Sequence, residues 1–195
     1  MRGAMREIRT ARLRLVPVTV RNAGLLWEIL QAPDLRDFQD LPNLNREQFL
    51  KAVDARPARF GPGTAGRFEW LLHYIRGDRE PLGWVSLRVS DGDKSSAEIG
   101  YSVVRAYRKR GIATEAVAAL IDEGFQRAHL KRIRAYCLPE NRASRAVLKR
   151  SGFESDGTLP RGATVQGKPV DVLAHTLGRS DWEASLRQSP QATRS

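Results

Sequence analysis

Tyr107-Arg108-Lys109-Arg110-Gly111-Ile112-Ala113-Thr114-Glu115-Ala116 stands between a stretch that reads as a strand and the clearest helix of the chain. A loop that enters a helix presents unpaired backbone N–H groups, and the helix dipole favours an anion there. Gly111 and the small Ala113 allow a ligand to approach the backbone closely. Arg108, Lys109 and Arg110 add positive charge, a combination suited to a pyrophosphate. The same residues would also serve as a plain basic turn before a solvated helix. The stretch lacks the Gly-Lys-Ser/Thr ending of a nucleotide P-loop and the three-glycine dinucleotide fingerprint, so ATP and NAD are poor candidates.

Working outward, residues 114–128 predict a helix, with Val117, Leu120, Ile121, Gly124, Phe125 and Ala128 recurring at helical spacing. Upstream, residues 97–104 read as a strand, as do 68–74 and 82–89, joined by turns around Gly77 and Gly92. Downstream come a strand over 133–138 and a short helix after Asn141, with Lys149 and Arg150 near its C-terminus and Gly152 at its stop. Two more strands are expected around 153–158 and 171–177, with a loop over 159–168 between them. Residues 8–17 alternate as a half-buried strand and 19–31 as a helix, whereas 32–66 suggest short helical turns joined by loops. The end of the chain, from Ser180, reads as fraying, leaving one domain over 1–182 and a tail over 183–195. The expected fold is a mixed, mostly antiparallel sheet with helices on both faces.

The chain has 195 residues, suited to one domain, and a net charge of +11. Twelve Lys or Arg and four Asp or Glu fall within 105–150, so eight of the eleven net charges are local to the quoted loop and its surroundings. Nucleic acid, an anionic membrane surface or a polyanionic small molecule could each explain that charge. No helix-turn-helix, RNA-recognition or zinc signature accompanies it, and aromatics are not interleaved with the basic cluster, so direct nucleic-acid binding is not expected. No apolar run is long enough to span a bilayer, and residues 1–14 lack a signal-peptide core, which places the chain in the cytoplasm. One cysteine, Cys137, excludes an intramolecular disulfide and a thiolate metal site; its expected role is a small buried side chain.

A second signal is Pro139-Glu140-Asn141-Arg142-Ala143-Ser144, followed by Val147, Leu148 and Gly152-Phe153. Alone, it reads equally as an Asn-capped helix. Together the two segments resemble the GNAT acetyltransferase superfamily, a family whose Arg/Gln-x-x-Gly-x-Gly/Ala loop is matched by Arg108, Gly111 and Ala113. The likeness is closest to the Rim-like subgroup, which acetylates N-terminal amines of ribosomal proteins. Its opening strand is matched by Thr10-Ala11-Arg12-Leu13-Arg14-Leu15, its acidic-x-Gly-Tyr strand by Glu98-Ile99-Gly100-Tyr101, its helix start by Gly111 to Ala116, and its final strand by Val170 to Leu177. The matches run from residue 8 to about 182, and the fold they imply is the GNAT acyl-CoA N-acyltransferase fold.

The resemblance implies direct attack of a primary amine on acetyl-coenzyme A, with no acyl-enzyme and no metal. It assigns cofactor binding to Ser102, Val103, Arg108, Lys109, Arg110, Gly111, Ile112, Ala113, Thr114, Asn141 and Arg145. Many members carry a general-acid tyrosine four residues before the Gly-Phe; this chain has Leu148 there. The subgroup's substitute is a serine three residues after the Asn, matched by Ser144. Glu98 is the candidate base, though a strand carboxylate among so many arginines also reads as an ion pair. The acceptor is expected to be a primary amine, with a protein N-terminal amine as the first candidate, a small-molecule amine (an antibiotic, polyamine or amino-acid derivative) as the alternative, and a non-catalytic coenzyme A- or RNA-binding module as a third reading. A homodimer would be a habit of the family.

Overall fold

The computed structural model describes residues 4–35, 44–77 and 80–188. Parts of the expected 32–66 turns, the turn at Asp78-Arg79 and the end of the tail lie outside the described residues. Within them the chain forms eight strands in one sheet, ordered β1-β2-β3-β4-β5-β6-β8-β7. These are β1 (Ile8–Arg9), β2 (Leu13–Pro17), β3 (Gly66–Tyr74), β4 (Gly83–Val89), β5 (Ser96–Val103), β6 (Arg132–Cys137), β7 (Glu154–Val165) and β8 (Lys168–Gly178). Five α-helices accompany them: α1 (Ala23–Leu30), α2 (Arg46–Asp54), α3 (Ile112–Asp122), α4 (Arg142–Arg150) and α5 (Arg179–Gln188). No described helix is long and apolar enough to cross a membrane.

Every pairing is antiparallel except that of β5 with β6. Parallel neighbours need a long crossover, and α3 supplies it. That parallel pairing is short: Ser96, Ala97 and Glu98 face Arg132, Ile133 and Arg134, and there it stops. β4 follows β5 to Val103, and β8 follows β6 to Cys137, so the sheet splits into two halves beyond Glu98. The split between residues 99–103 and 135–137 positions the candidate site.

Side-chain alternation assigns the two faces. Trp70, Val85 and Tyr101 share the face covered by α3, where Ile112, Val117, Leu120 and Phe125 are buried. Leu71, Trp84 and Ser102 share the opposite face, where α1 and α2 bring Leu26, Ile29, Phe49 and Val53. In β6 burial alternates strictly: Ile133, Ala135 and Cys137 are buried, and Arg132, Arg134 and Tyr136 are exposed. The α1–α2 cover thus ends near β5 and leaves the β6–β8–β7 face open.

Three elements differ from expectation. The helix expected to run to Ala128 is α-helical only to Asp122, then widens into a π-turn at Glu123–Arg127. Gly124 lies in this turn, where a Cβ would stand 3.2 Å from Ile133 and Leu130, a contact those side chains would have to shift to accept. The expected loop at 159–168 is mostly strand, turned by Gln166 and Gly167, both with positive φ, with shifts of register at residues 155–157 and 159–163. The expected fraying end forms α5, because Trp182 packs on Phe125 at 5.2 Å and its indole N–H donates to Asp122 at 2.8 Å.

Candidate active site

The loop between β5 and α3 is shaped by two left-handed residues, Lys109 (φ 62) and Gly111 (φ 76). Its carbonyls turn inward: Arg105 O accepts from Arg108 N–H at 3.3 Å and Gly111 O from Glu115 N–H at 3.1 Å. The six consecutive amides of residues 109–114 find no acceptor among the described residues. Unpaired donors converging at a helix N-terminus form an anion cradle.

The three cations around the cradle are not equivalent. Arg108 is engaged already: its Nε donates to Val103 O at 2.9 Å, and its Nη2 pairs with Asp34, in the short turn after α1. Arg110 lies over the Tyr107 ring at 5.7 Å. Lys109 and Arg110 make no ion pair among the described residues, so their charge is available to an anion. Glu115, one turn into α3, receives Thr10 Oγ1 at 2.5 Å, Arg12 N–H at 3.0 Å and Arg12 Nε at 2.7 Å. Burial opposes its charge, but these hydrogen bonds outweigh burial and hold the carboxyl below its usual range.

The split in the sheet carries a second row of donors. Val104 N–H donates to Leu82 O at 2.8 Å, and Ser96 O accepts from Ser90 N–H at 3.4 Å, so even-numbered residues of β5 bond to β4. By strand alternation the amides of Ile99, Tyr101 and Val103 point the other way, toward the split. Of the two residues expected to hold the cofactor arm, Val103 thus turns its N–H to the split and Ser102 turns its N–H to β4.

On the α3 face, Ser144 sits between Tyr101 and Cys137. Asn141 caps α4 by accepting Ser144 N–H at 3.0 Å, which fixes the start of that helix and the place of the serine. Ser144 Oγ lies 2.9 Å from Tyr101 OH, which also donates to Ser144 O at 3.2 Å. Burial pushes the Tyr101 phenol up to about 12, against a lowering contribution from Ser144. Burial also raises the Cys137 thiol, against the Ser144 hydrogen bond and the charge of Arg145. Arg145 itself donates to Pro139 O at 3.3 Å, within its own turn. Leu148, in the place of the usual tyrosine, is fully buried in the core.

Glu98 occupies the last paired position before the split, on the opposite face from Ser144, and forms an ion pair with Arg88. The structure thus gathers Ser144, Asn141 and Tyr101, and places Glu98 on the opposite face of the sheet. Beside Glu98 the open face holds a cleft of about 520 Å³ lined by Arg132, Arg134, Tyr136, Thr158 and Leu159. Sequence reasoning missed the roles of Tyr101, Asp34 and the Thr10–Arg12 pair. For Tyr101 and Thr10–Arg12 the signal was present, since both lie in the stretches that carried the resemblance.

Residues 12–154 match the family described as the Acetyltransferase (GNAT) domain. An uncharacterized N-acetyltransferase of Bacillus licheniformis is 27% identical over 179 residues, covering 91% of this chain and 99% of its own length. The ribosomal protein uS5 alanine N-acetyltransferase of Escherichia coli is 30% identical over 91 residues, 47% of each chain. Among solved structures, the ribosomal alpha-N-protein acetyltransferase RimL in complex with coenzyme A superposes with a TM-score of 0.73 at 19% identity, over 89% of this chain and 98% of that one. At that identity the likeness concerns the fold.

Proposed function

The chain belongs to the GNAT acetyltransferase family, and we propose that it transfers the acetyl group of acetyl-coenzyme A to the N-terminal amine of a peptide or protein. Acetyl-CoA-dependent N-acetyl transfer is the family's activity; the acceptor and the residue roles are our reading. The observation that carries it is the continuity of two donor rows: the free amides of residues 109–114 lead into the split that the Val103 and Tyr101 amides face. The first row suits a pyrophosphate, with Lys109 and Arg110 supplying charge. The second suits the amide-bearing arm and thioester carbonyl of the same molecule, so one ligand satisfies both rows. Asn141 and Arg145 flank that arm.

Acetyl-coenzyme A supplies an activated acyl group. The residues of the chain divide the proton movements between the two faces of the sheet. The attacking amine must lose a proton, and Glu98, beside the open cleft, is the acceptor in our reading, directly or through water. The C–S bond breaks as the new C–N bond forms, and the sulfur leaving it needs a donor. Ser144 Oγ, held 2.9 Å from Tyr101 OH, is the hydroxyl we assign to that sulfur; in the arrangement where Tyr101 donates to Oγ, the serine hydrogen points at the leaving group. A peptide suits the acceptor role because the cleft is lined by residues of β6, β7 and β8, on the face of the sheet that α1 and α2 leave uncovered. The relative that acetylates ribosomal protein uS5 supports the same acceptor class.

The test is calorimetric titration of the protein with acetyl-coenzyme A, with ATP and a short RNA as controls. Coenzyme A thiol release is then followed with a panel of peptides and small amines. Selective acetyl-coenzyme A binding and turnover of free-N-terminus peptides are expected. Turnover only of small amines would overturn the acceptor, and tighter RNA binding would overturn the assignment of the loop.

A further inference from the structure

The two ends of the amide cradle are tied by neighbours in sequence, Arg108 N–H to Arg105 O and Glu115 N–H to Gly111 O, whereas its central peptide is gripped from a distance. Arg12, in the turn between β1 and β2, donates from Nη1 to Arg110 O at 3.1 Å. Its Nη2 lies 3.3 Å from where a Cβ on Gly111 would stand. In a trans peptide the C=O and the following N–H point to opposite sides. With the Arg110 carbonyl held toward Arg12, the Gly111 N–H must point away from it, toward the free amides of the cradle. Gly111 is also the residue whose backbone turns most easily, so without a grip this peptide is free to flip. A flipped peptide would aim a carbonyl at the anion and withdraw a donor.

Arg12 is itself held in place. Its own N–H and Nε both reach the Glu115 carboxylate, and Thr10 Oγ1 reaches the same oxygen as the Arg12 N–H. Glu115 is fixed to α3, so the guanidinium is referenced to the helix whose N-terminus forms the cradle. An exposed ion pair of this kind contributes little to stability. Its geometric effect is the larger one.

We propose that Arg12 is a positioning residue for the cofactor pyrophosphate, acting through the Arg110 carbonyl to orient the Gly111 amide. The proposal rests on the acetyl-coenzyme A reading given above. It is tested in the full-length protein by calorimetry of Arg12→Ala against two ligands, acetyl-coenzyme A and S-acetylpantetheine, which lacks the pyrophosphate. The expected result is an affinity for acetyl-coenzyme A lowered by about tenfold, the size of one lost charge-assisted hydrogen bond, with S-acetylpantetheine affinity held within twofold. Unchanged acetyl-coenzyme A affinity, or an equal loss for both ligands, overturns it. Glu115→Gln, which keeps the shape and removes the charge that anchors Arg12, should shift the same ratio in the same direction by about threefold; an unchanged ratio counts against the proposal equally. If the unsubstituted protein fails to bind acetyl-coenzyme A, the functional reading falls instead, so the two failures are distinguishable.

Discussion

Tyr101→Phe should change stability with opposite signs at neutral and at high pH. The substitution removes the hydroxyl that lies 2.9 Å from Ser144 Oγ, a mostly buried hydrogen bond worth about 1 kcal/mol. At neutral pH the variant should be less stable by about that amount. The phenol is pushed from its ordinary 10.0 to about 12, chiefly by burial. A raised pKa means that the native state holds the proton more tightly than the unfolded chain. The stability this provides is complete below pH 10 and is lost as pH rises from 10 to 12. Two units correspond to roughly 3 kcal/mol at the upper end, and about 1 kcal/mol is already lost between roughly pH 10.5 and 11. The stability curves of the two proteins should therefore cross near pH 11, with the phenylalanine variant the more stable beyond it. Urea unfolding of both proteins at a series of pH values measures this, because contributions of the other titrating groups cancel in the difference. A gap that stays constant from pH 8 to 11.5 would refute the burial argument. It would also weaken the claim that Tyr101 remains a neutral donor to Ser144 at every working pH.

Other substitutions probe the remaining parts of the site. Ser144→Ala should lower kcat by about 100-fold while leaving acetyl-coenzyme A affinity within a few-fold, and full activity would remove the hydroxyl from the mechanism. Arg110→Ala should weaken acetyl-coenzyme A binding more at low salt than at high salt, since its charge is exposed. Arg108→Ala should weaken it at high salt as well, because it also releases the Val103 carbonyl and Asp34; identical salt profiles for the two variants would contradict that distinction. Glu98→Gln should shift the pH–rate profile if the carboxylate accepts the amine proton, and an unaltered profile would leave that step to water or another group.

Elements whose pattern is local were legible in the sequence. The spacing of Val117, Leu120 and Ile121 placed α3, and Asn141 marked the start of α4, because helix periodicity and capping are short-range properties. The π-turn after Asp122 was hidden, since Gly124 within it meets Ile133 and Leu130, residues of the crossover's far side. Trp182 gave no local sign that the end of the chain would dock, because its partners Phe125 and Asp122 lie some 60 residues earlier. The strand extension through residues 159–165 was masked by Pro160 and Gly162, which usually end strands but here sit at a shift of register on an edge strand. At the site, the cradle was readable from one loop, whereas its engagement by Arg12 and Asp34 needed the fold to bring distant segments together.

The division of labour at the site follows from the period of one strand. β5 presents Ile99, Tyr101 and Val103 to the α3 face, and Glu98, Gly100 and Ser102 to the other. In the reaction proposed, these are the sides of the leaving sulfur and of the arriving amine. The third direction is the edge. A strand edge left unpaired is a liability in most proteins, a row of donors and acceptors seeking a partner. Here an edge arises because β5 and β6 pair over only three residues, and Arg108 Nε meets it at the Val103 carbonyl. A ligand with amides along its length can serve as the missing strand and bind without demanding sequence-specific side chains. The residues that matter most for cofactor affinity should then be those that shape backbone, Gly111 and Arg12 among them. Those that matter most for the chemistry should be side chains on the two faces, Ser144 with Tyr101 on one and Glu98 on the other. Substitutions of the first group should move Kd, and those of the second kcat. A cradle variant that lowered kcat at saturating acetyl-coenzyme A would show that this separation fails.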